Sequence, residues 1–133
     1  MFDVIVIGGA NIDIKARADG KYVAGTSNPG SVSFTPGGVA RNIAHNLGSL
    51  GVNVALISAI GNDAAGKIAV AATSAAGVDL SLCRREDAAT GSYVAVLDGN
   101  GELVSAVNDM RILESLTPEK VKPHRASLDA AKF

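Results

Sequence analysis

A tight glycine turn that runs directly into a helix constrains this chain more than any other feature. It spans Thr35-Pro36-Gly37-Gly38-Val39-Ala40-Arg41-Asn42-Ile43-Ala44 and continues through His45-Asn46-Leu47-Gly48-Ser49-Leu50 to Gly51. Gly37 and Gly38 have no Cβ, so the backbone there can take positive φ and approach a ligand closely. From Asn42 onward Ile43, Leu47 and Leu50 recur at helical spacing and predict the buried face. Gly51 stands where a glycine stop belongs. The first turn of such a helix offers free backbone N–H groups and a partial positive charge. Arg41 and Asn42 add side-chain donors beside the glycines. The pattern suits a hydroxyl-rich or anionic small molecule, although a Gly-Gly turn before a helix also serves as a plain connection.

Around this turn the chain alternates strands and helices. Residues 2–7 form a short apolar, β-branched run closing at Gly8-Gly9, the pattern of a fully buried central strand in a parallel sheet. The following Gly8-Gly9-Ala10-Asn11-Ile12-Asp13 does not complete G-x-G-x-x-G and no helix follows, so the dinucleotide fingerprint fails. Residues 14–18 alternate like a half-exposed strand instead. Asn11 and Asp13 then lie just past the carboxyl end of a buried strand, where open α/β sheets bind ligands. Both residue types also cap turns locally. Residues 19–36 read as a hairpin-like excursion, with extended pieces at 21–24 and 31–34 about the turn Ser27-Asn28-Pro29-Gly30. Residues 52–60 predict a second strand. An alanine-rich helix over 64–76 follows, capped by Asp63, weakened by Gly66 and ended by Gly77. Residues 78–85 predict a further strand. This order argues for an α/β fold with a parallel sheet and right-handed crossovers.

The period then changes. Residues 92–97 and 102–107 flank Asp98-Gly99-Asn100-Gly101, a β-hairpin signal. With the earlier excursion it predicts a small sheet over the ligand edge of the main one, a lid, or else an ordinary edge hairpin. Asn108-Asp109-Met110-Arg111 lead back to the body. Thr117-Pro118-Glu119 starts a helix that Pro123 interrupts, residues 124–132 form a second short one, and Phe133 falls where another strand is expected.

Composition narrows the function. The formal net charge is −1 and no basic run carries interleaved aromatics, which argues against nucleic acid. No apolar run is long enough to cross a bilayer, and the opening residues lack the basic region of a signal peptide. Cys83 is the sole cysteine, so an internal disulfide is excluded and a cytoplasmic location is expected. Beside Arg84 and Arg85 it is either a thiol of lowered pKa or an inert strand-end cysteine on a solvated basic face. His45 and His124 are not spaced with other ligand-type residues, and no metal site is predicted.

The run GGVARNIAHNLGSLGVNVALISAIG resembles the N-terminal signature of the ribokinase-like (PfkB) carbohydrate kinases. Gly37, Gly38, Ala40, Asn42, Ala44, Gly51 and Gly61 fill that pattern, and the opening GGANID is similar to the family's first strand. The resemblance implies a ribokinase-like fold, with residues 1–133 forming the N-terminal substrate-binding part and lid strands at about 14–36 and 91–108. It implies that Asn11 and Asp13 hold ribose hydroxyls, aided by Gly37, Gly38 and Asn42, while Ser92 and Asn108 face a base. Within the family, SNPG, FTPGGVARN and AVNDM look most like the branch that phosphorylates the 5′-hydroxyl of the C-nucleoside pseudouridine. Ribose or another sugar or nucleoside is the alternative substrate, and a non-catalytic binding or dimerisation module the alternative role. ATP and Mg²⁺, with a monovalent cation as accessory, and a homodimer through the lid strands are implied for the whole enzyme. The second family signature, Asp-Thr-x-Gly-Ala-Gly-Asp, supplies the catalytic base and an anion hole. It is missing from this sequence, and Asp63, Asp79, Asp87, Asp98 and Asp109 lack its glycine context. No catalytic residue is therefore assigned, and the chain alone is expected to be inactive.

Overall fold

A computed structural model describes residues 1–133. The apolar opening run forms β1 (Val4–Ile7), paired in parallel with β4 (Val54–Ile57) from Val4↔Val54 to Ile7↔Ile57. The expected strand at 52–60 exists but is split. Past Ser58 the chain continues as β5 (Ala59–Gly61), which pairs in parallel with β6 (Arg84–Glu86), and the Ser58 carbonyl accepts the Arg84 amide at 2.8 Å. The strand expected over 78–85 is reduced to a single bridge, Ala55↔Asp79, before β6. Its cause is local: the Asp79 carboxylate accepts the Ser81 amide at 2.7 Å and turns the chain out of the sheet.

The main sheet separates two apolar layers. Val54 and Leu56 of β4 face Ala10, Ala40, Ala44, Ile60 and Val78. Ala55 and Ile57, on the alternate positions, join Ile5 and pack against Leu116, Val121 and Leu128. The last two come from the short helices α3 (Pro118–Val121) and α4 (Arg125–Ala130). The expectation of a fully buried β1 fails, because Ile5 alone is buried and Ile7 is 47% exposed. On the edge away from β4, β1 meets the last residues of the chain. The Ile5 amide donates to the Phe133 carbonyl at 2.9 Å, the Phe133 amide to Asp3 at 3.1 Å, and the Lys132 ammonium pairs with Asp3 at 2.7 Å.

Helix α1 (Val39–Ser49) begins three residues before Asn42 and buries Ala40, Arg41 and Ala44. Leu47 is half-buried, but Ile43 and Leu50 are 48% and 80% exposed, so the predicted apolar face is wrong in phase. The small alanines bring the helix axis close to β1 and β4, Leu47 packs against the edge of that core, and Ile43 and Leu50 are turned outward. Gly51 and Gly77, at φ 81° and 82°, follow the ends of α1 and α2 (Ala64–Ala75) as expected.

A second sheet of four strands has the order β3-β2-β7-β8. β2 (Asn11–Ala18) pairs antiparallel with β3 (Gly30–Gly37) and parallel with β7 (Gly91–Leu97), and β7 pairs antiparallel with β8 (Leu103–Asp109). The excursion and the hairpin therefore join one sheet. Residues 21–24 are not extended in it, because the Asn28 amide satisfies both the N–H and the C=O of Val23, at 2.8 and 2.9 Å. The hairpin turn is fixed by Asp98, whose carboxylate accepts the amides of Asn100 and Glu102, each at 2.9 Å.

Asp63 caps α2 and also ties it to β7. It accepts the Gly66 amide at 2.7 Å, the Thr90 amide at 2.8 Å and the Thr90 hydroxyl at 2.6 Å. Burial opposes its ionisation, but the bonds from Thr90 and Gly66 outweigh that and hold the carboxyl below its ordinary pKa. Gly66, which in isolation weakens a helix, has a packing role here. A Cβ would overlap the Gly61 carbonyl and sit 2.8 Å from the Thr90 hydroxyl. Asp63→Ala is expected to cost about 2–3 kcal/mol, a cap plus a latch. Because the folded pKa is depressed, the stability Asp63 supplies is present above the ordinary carboxylate range and lost as pH falls through the folded value. Urea melts of parent and variant at neutral and acid pH check this, and their difference should shrink in acid. No helix is long and apolar enough to cross a membrane.

Candidate functional site

Two corners of backbone meet. The first is Gly8-Gly9-Ala10, between β1 and β2; the second is Gly37-Gly38, between β3 and α1. Gly38 has φ 97° and ψ 132°, a conformation open to glycine but not to other residues. A Cβ on Gly38 would overlap the Gly9 carbonyl and lie 2.9 Å from the Ala10 Cα. One hydrogen bond ties the corners together, from the Arg41 amide to the Gly9 carbonyl at 3.2 Å, while the Asn42 amide donates to Gly38 at 2.9 Å as the first bond of α1.

Asn11 and Asp13 stand over this junction. They follow the end of β1, and they are the first and third residues of β2, which starts three residues earlier than the strand expected at 14–18. The Asn11 amide donates to Asp13 Oδ1 at 2.9 Å, and Asn11 is buried. Asp13 lies across Gly37, where a Cβ would stand 2.5 Å from Oδ2. Glycine is thus required at 37 to leave room for the carboxylate, and at 38 for the backbone contact.

The sheet register decides which other residues share the Asp13 face. Asp13 is flanked by Thr35 on β3 and Tyr93 on β7, and Tyr93 by Asn108 on β8. Side chains alternate along a strand, so Asn11, Asp13, Thr35, Tyr93 and Asn108 occupy one face. Ser92 belongs to the neighbouring row with Ile12 and Asp109 and faces the other way. Its hydroxyl donates to the Thr90 carbonyl at 3.0 Å. Asn108 is therefore brought to the Asp13 face, whereas Ser92 is not. Tyr93 was not picked out by the sequence, since a parallel β2–β7 pairing across some eighty residues leaves no local signal, and Thr35 joins the row only through the β2–β3 register.

Asn42 is exposed in the first turn of α1, and its Oδ1 accepts from Arg41 Nη1 at 3.2 Å. Neither Asp13 nor Asn42 lines either of two surface concavities: one of about 350 Å³ is bounded by Glu86, Ala88, Arg111 and Ser115, and another of about 470 Å³ by Asn108, Met110 and Glu114, so that of the expected site residues only Asn108 borders one of them. Between them Asp109 is held down to about 2 by its hydrogen bonds with Arg111.

Cys83 is the inert kind. Burial pushes its thiol up to about 11, and the thiol donates to the Leu56 carbonyl at 3.1 Å. The adjacent arginines are not simply solvated. Arg84 pairs with Glu86 at 2.8 Å, and Arg85 donates to Asn62 and to the Gly61 carbonyl at 3.2 and 2.9 Å. His45 Nδ1 meets Arg41 Nη2 at 2.9 Å.

Known proteins show the same arrangement of sequence and fold. Residues 1–133 match the family model described as pfkB family carbohydrate kinase. A pseudouridine kinase of Escherichia coli is 40% identical over 97% of this chain and 42% of its own length. A carbohydrate kinase from Agrobacterium tumefaciens superposes with a TM-score of 0.89 at 35% identity, over 100% of this chain and 44% of that one. A ribokinase of Arabidopsis thaliana, solved with ribose and ATP, superposes with a TM-score of 0.72 at 25% identity, over 81% of this chain and 36% of that one. The chain spans less than half the length of the curated relatives it matches.

Proposed function

This chain belongs to the pfkB family of carbohydrate kinases, and we propose that it is the substrate-binding part of an ATP-dependent kinase for a ribose-bearing substrate. The reaction favoured is phosphorylation of pseudouridine at its 5′-hydroxyl, with ribose or another nucleoside as the alternative acceptor. Likeness to the Escherichia coli pseudouridine kinase supports the nucleoside. The observation that carries the reading is the Asn11–Asp13 pair set over Gly37, beside the first turn of α1. An ionised carboxylate accepts hydrogen bonds from hydroxyls, and Asn42 supplies a donor nearby. A vicinal diol matches such a site, and bonds to a charged acceptor are among the stronger ones.

ATP and Mg²⁺ belong to this proposal for the whole enzyme. In this chain no group of three or more His, Cys, Asp or Glu side chains is placed to hold a cation. The roles of Asn11, Asp13 and Asn42 are binding and orientation of the acceptor. Calorimetric titration with pseudouridine, ribose and adenosine tests the reading. Pseudouridine and ribose are expected to bind, and ATP is not turned over by the isolated chain. Failure of every hydroxyl-bearing ligand to bind, or appreciable phosphorylation by this chain alone, would contradict it.

One observation favours self-association as a second role. The face of the four-stranded sheet opposite Asp13 carries the row Phe34–Ile14–Val94–Val107 across all four strands. Phe34 and Val107 in that row are 57% and 69% exposed. An exposed apolar sheet face of this kind fits a homodimer through the lid strands. Sedimentation should show a dimer that Phe34→Asp converts to monomer. A monomeric parent would remove this reading.

A further inference from the structure

We propose that Arg41 is the positioning residue of this site: its buried guanidinium fixes the Asn42 side chain so that the amide presents a donor, and not an acceptor, to the substrate. The inference rests on the reading of Asn42 as a substrate contact. Arg41 is only 6% exposed, an unusual state for an arginine in a first helical turn. Its three partners are all neutral. Nε donates to the Thr73 hydroxyl at 2.9 Å, Nη1 to Asn42 Oδ1 at 3.2 Å, and Nη2 meets His45 Nδ1 at 2.9 Å.

The chemistry of the guanidinium makes these assignments unambiguous. It has N–H donors and no acceptor, so each partner must turn a lone pair toward it. Thr73 does so while its own proton goes to the Ala69 carbonyl at 2.6 Å. His45 must accept on Nδ1, which leaves its proton on Nε2. Asn42 must point Oδ1 inward, and because the amide is planar its NH₂ group is turned away from Arg41. The Asp13 carboxylate offers acceptors only. A substrate group that reaches both would donate to Asp13 and accept from Asn42. A hydroxyl does both; a carbonyl or an ammonium does one.

Arg41 also ties α1 to α2 through Thr73, so the first turn of α1 is braced from beneath. No carboxylate compensates the charge, and burial lowers its pKa. A leucine or methionine would fill the same volume without that penalty. An uncompensated cation kept here is accounted for by the directionality it imposes on its neighbours.

A double-mutant cycle on the chain with ribose and pseudouridine as probes tests this. Arg41→Met and Asn42→Ala are each expected to weaken binding at least tenfold. The double variant should bind no more weakly than Asn42→Ala, since Arg41 reaches the ligand through that amide and its brace on Thr73 serves to hold the same turn. Arg41→Lys keeps the charge but not the planar fork, and should bind as poorly as Arg41→Met. Parental affinity in Arg41→Met, or losses that multiply in the double variant, overturns the inference. A parent that binds neither probe overturns the substrate reading instead. Hydrogen exchange in the parent gives a result independent of ligand and of variant folding. The Asn42 Nδ2 protons should exchange as fast as those of exposed Asn100, while the Arg41 Nε proton is slow; protected Asn42 Nδ2 protons overturn the assignment.

Discussion

Gly38→Ala is expected to remove about 4 kcal/mol of stability and to abolish ligand binding with it. Two costs combine. At φ 97° and ψ 132° an L side chain is strained by about 1–3 kcal/mol. The new methyl would also overlap the Gly9 carbonyl and press on the Ala10 Cα, an overpacking that costs about as much again. Relief would require the two corners to separate, which breaks the bond from the Arg41 amide to Gly9. Native domains have about 5–15 kcal/mol in all, so the loss is a large part of the whole. Gly37→Ala separates the two contributions. Gly37 is not at positive φ, and its added Cβ would displace the Asp13 carboxylate and leave the backbone where it is. That variant should lose affinity far more than stability. Urea denaturation read beside titration with ribose checks both. A Gly38→Ala protein within about 0.5 kcal/mol of its parent would mean that the corners do not hold each other.

The sequence is most legible where one residue type satisfies a local rule. The Asp63 cap, the Asp98 turn and the glycines at 51 and 77 act within a few residues of themselves, and the structure has them as expected. Phase and partnership are less legible. Ile43, Leu47 and Leu50 have a helical period, yet α1 packs through Ala40 and Ala44, since closeness to the sheet favours small side chains over large ones. The strand expected at 78–85 dissolves because one side-chain bond from Asp79 redirects the backbone. Arg41 was singled out as a donor beside the glycines, but its burial and its hold on Thr73, thirty-two residues away, depend on the packing of α1 against α2. Ser92 and Asn108 looked equivalent in the hairpin. Register, which periodicity alone does not supply, puts them on opposite faces.

Asp13→Asn should lower the affinity for ribose and pseudouridine about a hundredfold while leaving stability within about 1 kcal/mol. The asymmetry follows from what Asp13 does in the folded chain. It is half-buried and accepts one side-chain hydrogen bond, from Asn11, which an asparagine oxygen can still accept. Little of the fold therefore depends on its charge. A hydroxyl donor facing the second oxygen loses more. It exchanges a carboxylate acceptor for an NH₂ group that itself donates, and about 1.5–3 kcal/mol goes with each charge-assisted bond. One such loss is about a hundredfold in dissociation constant. Deoxygenating the ligand supplies the reciprocal change. If Asp13 accepts from the 2-hydroxyl, 2-deoxyribose should bind the parent about as weakly as ribose binds Asp13→Asn, and it should gain nothing from restoring the carboxylate. Asn11→Ala keeps the charge but loses the clamp, so a loss nearer tenfold is expected. An Asp13→Asn chain that holds ribose as tightly as its parent would show that the hydroxyls are recognised elsewhere, and the Asn11–Asp13 pair over Gly37 would then be a structural junction alone.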